Sequence, residues 1–260
     1  MKNFYFFLLI LFSTVSFSQG IVIDTTTLSI PQLVQNELMQ NSCSSVTNFL
    51  FSSHKGIGQF TNTNAGFPIS NGIIIRNGIA KYTEGPYSAI NESSQITTSG
   101  DSDIQSISDK NGQTAPITDV AFLQFDFTPL SSNFSFDFLF ASNEYGQYQC
   151  GFSDVFTFLL TDLQTGTTTN LAIIPGTTIP ISVKNIRDAA YNSSCLSVNA
   201  NLFSRYNVSN PATSAINMRG ETVLLMASSP VIPNRKYRIK LAIGDYYDSG
   251  LDSAVFIKGG

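Results

Sequence analysis

Between residues 134 and 140 every second position is phenylalanine: Phe134, Phe136, Phe138 and Phe140 share one side of an extended chain, with Ser135 and Asp137 opposite. Side chains alternate across a strand with period two, while a helix would scatter these four rings around its axis. The segment therefore reads as a strand with one face in an aromatic core. The same alternation sets Ala121, Leu123, Phe125 and Phe127 against Gln124 and Asp126, and sets Tyr237, Ile239, Leu241 and Ile243 against Arg238 and Lys240. Further apolar runs at 72–76, 154–161, 170–174, 179–186, 221–227 and 253–258 are separated by turn formers such as Pro175-Gly176 and Pro233-Asn234. Roughly ten short strands joined by polar turns predict an all-β fold, an antiparallel two-sheet sandwich of jelly-roll-like type.

Composition agrees. The chain has 21 Phe and 10 Tyr with only 12% charged residues, a balance that suits sheets and opposes long solvated helices. One short N-terminal helix is expected over about 31–41, where Ser29 and Pro31 precede Leu33, Val34, Leu38 and Met39 at helical spacing. The stretch 84–118, rich in Ser, Thr, Asn and Gly, reads as a long surface loop. No repeat or linker divides the chain, so residues 19–260 are expected to form one domain.

Residues 1–18 have the form of a signal peptide: Lys2, an apolar run from Phe4 to Phe12, then Ser16 and Ser18 before cleavage at Gln19. That run is about half the length needed to span a bilayer, and no later stretch is apolar enough. The mature chain is expected outside the cell or on its outer surface. Its three cysteines would then meet an oxidising compartment. Cys150 and Cys195, each in a polar turn-rich segment, are the expected disulfide, worth roughly 3 to 4 kcal/mol by loop closure; Cys43 reads as a buried thiol. Eighteen acidic against 14 basic residues give a net charge of −4, becoming −5 once Lys2 is removed, which opposes nucleic-acid binding.

The single histidine, His54, leaves no basis for a His-rich zinc site or a Ser/His/Asp triad. Two acidic segments carry what chemistry remains. Asp245, Asp248 and Asp252 lie within eight residues and could offer hard oxygens to Ca²⁺, although turn capping explains them as simply. Glu144 and Asp154 could pair across a hairpin as the two carboxylates of a glycan hydrolase, with a strand-end glutamate the plainer reading. Tyr145, Tyr148, Tyr246 and Tyr247 flank both segments and suit binding of a sugar or peptide, as core or rim packing also would.

Seven segments in order resemble the choice-of-anchor L domain family. They are Gln32-Leu33-Val34 with Cys43 and Val46-Thr47-Asn48; Gly72-Ile73-Ile74-Ile75 with Asn77-Gly78; Gly100-Asp101-Ser102-Asp103-Ile104; and Ala121-Phe122-Leu123-Gln124-Phe125-Asp126-Phe127. Phe138 to Tyr145, Phe152 to Phe156 and Asp248 to Phe256 complete the set. The resemblance implies an exported protein of the kind seen in Bacteroidota, often type IX secretion cargo with a C-terminal sorting domain. This sequence stops at Gly260, so it is expected to be either a fragment of a longer surface protein or a released one. The combined expectation is a binding or adhesion module for an extracellular glycan or protein surface ligand, presenting loops 84–118, 142–153 and 245–252. A glycan-active hydrolase using Glu144 with Asp154 or Asp245 is the alternative.

Overall fold

The computed structural model describes residues 20–40 and 43–259. The expected signal peptide 1–18 and its cleavage point lie outside these residues. Within them are strands β1 (Ile21–Asp24), β2 (Cys43–Phe51), β3 (Ile57–Asn62), β4 (Asn71–Arg76), β5 (Ile117–Pro129), β6 (Asn133–Ser142) and β7 (Val155–Asp162). They are followed by β8 (Thr168–Asn170), β9 (Phe203–Tyr206), β10 (Gly220–Thr222), β11 (Leu225–Pro230), β12 (Tyr237–Tyr246) and β13 (Ser253–Lys258). Two helices accompany them: α1 (Ile30–Gln32), which runs on into a π-helical segment Leu33–Met39, and α2 (Ser102–Lys110).

The strands form two antiparallel sheets. One runs β1, β3, β4, β13, β6, β10, β9, with β11 on the remaining length of β6; the other runs β2, β5, β12, β7, β8. Register follows from which residues must face inward. Ile73, Ile257, Phe138 and Leu225 line up across the first sheet, and Leu123, Leu241 and Phe158 across the second. Phe138 meets Phe158 at 5.1 Å and Phe156 at 5.8 Å between ring centroids, and Phe127 stacks on Phe134 at 4.6 Å. The Phe-bearing face of β6 thus forms the seam between the sheets. Each fully buried ring contributes about 1.5 to 3 kcal/mol of transfer free energy.

The apolar runs that do not alternate have a separate cause. Ile73, Ile74 and Ile75 are all buried, because the outer face of the first sheet is itself covered: Ile74, Leu139 and Phe256 pack with Phe60, Phe67, Ile216 and Met218. A strand buried on both faces loses its period-two signature. On the second sheet Ile104 of α2 covers Val120, Val155 and Ala242.

Three expectations change here. Residues 84–118 are not one unbroken surface loop: the largely exposed stretch 86–101 is anchored by buried Tyr87 and Ile96, and Asp101 then caps α2 by accepting from the N–H groups of Asp103 and Ile104. Of the runs 170–174 and 179–186, only Asn170 at the end of β8 lies in a sheet; the rest fills the core with an isolated Ile173–Pro180 bridge, since Pro175 and Pro180 cannot donate to a ladder. Cys43 is half-buried at the start of β2, packed against the core edge.

Position in the sheets explains the polar chemistry. The late strands β12 and β13 sit in the middle of different sheets, so residues 247–252 must cross from one to the other. Residues 143–154 make the same crossing between β6 and β7, and residues 77–116 between β4 and β5. The pairings Ser253 with Ser142, Ala254 with Arg76, and Gly244 with Val155 put all three crossings at one end of the sandwich.

Candidate functional site

Chain that leaves a sheet has backbone groups with no ladder partner, and at a covered end they must find side chains instead. Asn77, the first residue of one crossing, serves all three. Its Nδ2 donates to Asp154 Oδ2 and to Asp245 Oδ1, each at 2.8 Å, and its Oδ1 accepts from the Ser253 N–H at 2.7 Å. Asp154 N–H donates to Glu144 Oε2 at 2.8 Å, and Tyr246 N–H donates to Asp154 Oδ1 at 3.2 Å. Beside this group Arg76 pairs with Asp252 and donates to Thr83 Oγ1 and the Asn91 carbonyl. Ser94 closes the pair from above, its N–H and hydroxyl both donating to Asp252. Gly78 fits here because it lacks a side chain: a Cβ would fall on Asp252 Oδ2.

Burial dominates the electrostatics. Asp245 and Asp252 have no exposed surface, and Glu144 and Asp154 retain 2% and 1%. Burial first, then the neighbouring Asp154 charge, pushes Asp245 up to about 12, so it is neutral at physiological pH. Burial raises Asp154 to about 7 against hydrogen bonds from Asn77 and Tyr246 that oppose it. Glu144 is raised by burial and by the Asp154 charge. Among the described residues Asp245 Oδ2 has no hydrogen-bond partner.

These positions bear on several expectations. Glu144 and Asp154 do come together, but through the Asp154 backbone N–H and sealed from solvent, which gives the hydrolase reading no support. Asp245 and Asp252 point into separate parts of the buried network, while Asp248 is exposed and accepts from Gly250 N–H in its own turn. Of the three carboxylates expected to hold Ca²⁺, two are thus buried among different hydrogen-bond partners and the third lies in an exposed turn. Tyr145 is fully buried, packed on Phe140 and Phe203, and lies in the core rather than at a rim.

The other three tyrosines do gather. Phe152 lies between Tyr148 and Tyr247, 6.3 Å from each ring centroid, and Tyr247 is 67% exposed. The Arg219 guanidinium sits 5.4 Å over the Tyr148 ring and is held from behind by Glu92, at 2.7 and 3.0 Å. Next to this strip is a cleft of about 280 Å³ that includes Phe152, Tyr246, Gln113, Gln149, Lys184 and Arg187. Its wall is pinned by the Cys150–Cys195 disulfide, with Cα atoms 5.6 Å apart, and by Asn192 Nδ2 donating to the Gly146 and Gln147 carbonyls. The expected bridge is thus present, and it fixes the rim.

Sequence reasoning missed Asn77, Arg76, Ser94 and Phe152, along with Lys184 and Arg187. Arg76 and Asn77 carried a signal, since a charge and an amide ending an Ile-Ile-Ile run must find buried partners. Lys184 and Arg187 carried none locally; the tie is the disulfide that brings the 146–153 and 192–195 segments together.

The sequence matches the family model of the choice-of-anchor L domain over residues 15–260. No curated protein and no solved structure matches it.

Proposed function

The chain belongs to the choice-of-anchor L domain family, and from that membership we propose that it is an exported, non-catalytic module that binds an extracellular glycan along the strip Tyr148, Phe152 and Tyr247. The family supports an extracellular or cell-surface location, and among the described residues no helix is long and apolar enough to cross a membrane. One observation carries the binding reading. Three aromatic rings from two separate crossings are brought into a row beside a polar cleft, on a rim stapled by a disulfide. Aromatic faces stack on the C–H faces of sugar rings, while nearby amides and carbonyls fix orientation. Rigidity matters because ordering a loose loop would consume affinity.

A glycan array followed by titration of the best binder tests this. Phe152→Ala and Tyr247→Ala should each weaken binding by about tenfold or more, a loss of roughly 1.4 kcal/mol, without lowering the melting temperature appreciably. Binding unaffected by both substitutions would move the site elsewhere. Glycan turnover that disappears in Glu144→Gln would replace the binding module with an enzyme.

A further inference from the structure

We infer that the cleft beside the aromatic strip receives the acidic group of an anionic sugar, a uronate or a sulfate ester, between Lys184 and Arg187; this rests on the glycan-binding reading and narrows it to one ligand class. The cleft measures about 280 Å³, and Lys184 and Arg187 are the only charged side chains among the residues that line it. That is just under the range of about 300 to 1,000 Å³ typical of ligand pockets, so it has room for one sugar unit rather than a chain.

The two cations are held by backbone carbonyls rather than by carboxylates. Lys184 Nζ donates to the Asn111 carbonyl at 3.0 Å, and Arg187 donates through Nε to the Leu196 carbonyl at 3.0 Å and through Nη1 to the Gln149 carbonyl at 3.2 Å. Among the described residues neither forms an ion pair, a state they share with Lys55, Lys110 and Arg205, whereas Arg76, Arg219, Arg235, Arg238 and Lys240 are paired. Both side chains are half-buried, and each keeps unused N–H donors after these bonds. Asn111 ends α2, so Lys184 also meets the partial negative charge of a helix C-terminus, which orients the ammonium without neutralising it.

The backbone beneath them is fixed. Lys184 N–H donates to Ser153 Oγ, Gln113 Nε2 donates to the Ser153 carbonyl, and Arg187 exchanges two backbone bonds with Val198 at 2.9 and 3.0 Å. A carboxylate or sulfate entering here would meet two prepositioned cations at little ordering cost, with the Phe152 ring as an apolar wall for the rest of the sugar. In a chain of net charge −4, such a site must act against the overall field, so its attraction is local.

The experiment titrates the folded chain with three probes: oligogalacturonate, a sulfated oligosaccharide and a neutral cello-oligosaccharide. The expected result is that at least one anionic probe binds about tenfold or more tighter than the neutral one. That preference should vanish in the Lys184→Gln/Arg187→Gln double variant and weaken with added salt, while Phe152→Ala weakens all probes. Equal binding of neutral and anionic probes, unchanged in the double variant, overturns the anionic assignment and leaves the aromatic strip standing. No binding of any probe overturns both. Circular dichroism and melting of the double variant separate loss of the site from loss of the fold.

Discussion

Arg76 and Asp252, 176 positions apart in the chain, pair at 2.9 Å with neither side chain exposed. A buried pair has already lost its hydration, so its parts depend on each other more than on the solvent. Arg76→Met should therefore cost about 3 to 5 kcal/mol by leaving the carboxylate uncompensated, and replacing Asp252 by Leu in the same molecule should restore a substantial part. Urea denaturation of the single and double variants measures both.

The buried carboxyls set a pH dependence whose sign is fixed. In the unfolded chain they release protons near pH 4. In the folded chain Asp154 and Glu221 hold theirs to about 7 and Asp245 to about 12, all through burial. Above pH 4 the native state binds more protons, so the stability these groups contribute is complete below that point and declines as pH rises. Each group can cost about 1.4 kcal/mol per pH unit across its window. At Asp126 hydrogen bonds from Arg238 and Asn48 outweigh burial and hold the carboxyl low, which places its opposite effect below pH 4. The melting temperature should be higher at pH 5 than at pH 8, and Asp245→Asn should raise it at pH 8 and flatten the profile. A profile that climbs from pH 5 to 8 contradicts this.

Gly78 tests how tightly the crossing is packed. Alanine there would drive a methyl group into Asp252 Oδ2 and the Ser94 hydroxyl. Overpacking of this kind costs about 1 to 3 kcal/mol, and Asp252 has no room to retreat while Arg76 and Ser94 hold it. Thermal melting of Gly78→Ala gives the answer directly.

The disulfide closes a segment of 45 residues. Cys150→Ser with Cys195→Ser should lower stability by roughly 3 to 4 kcal/mol by loop closure alone. Glycan affinity should also fall in buffer where the variant remains folded, because the cleft wall between 146 and 153 is then held by Asn192 rather than a covalent bond. Unchanged affinity in the folded variant would show that the staple does not organise the rim.

The fold was legible where burial is one-sided. Phe134 to Phe138 and Tyr237 to Leu241 alternate because one face of each meets the core, and the structure puts both where the alternation requires. It was illegible where polarity and burial part company. Residues 84–118 look solvated, yet Tyr87, Ile96 and Ile104 anchor them, and Glu92 and Ser94 are spent on Arg219 and Asp252. Asp245 and Asp252 look like exposed loop acids because sequence shows their neighbours Asp248 and Ser249 and not Asn77 or Arg76. The distances that matter are contacts across the end of the sandwich, which no local window contains.

The placement of β12 and β13 at the centre of their sheets has a consequence for how this protein is made. Until residues 237–258 are available, β5 and β7 have no strand between them, and neither do β4 and β6. Residues 20–236 alone therefore leave both sheets split down the middle, and a single stretch of chain, 237–258, sews the two seams together.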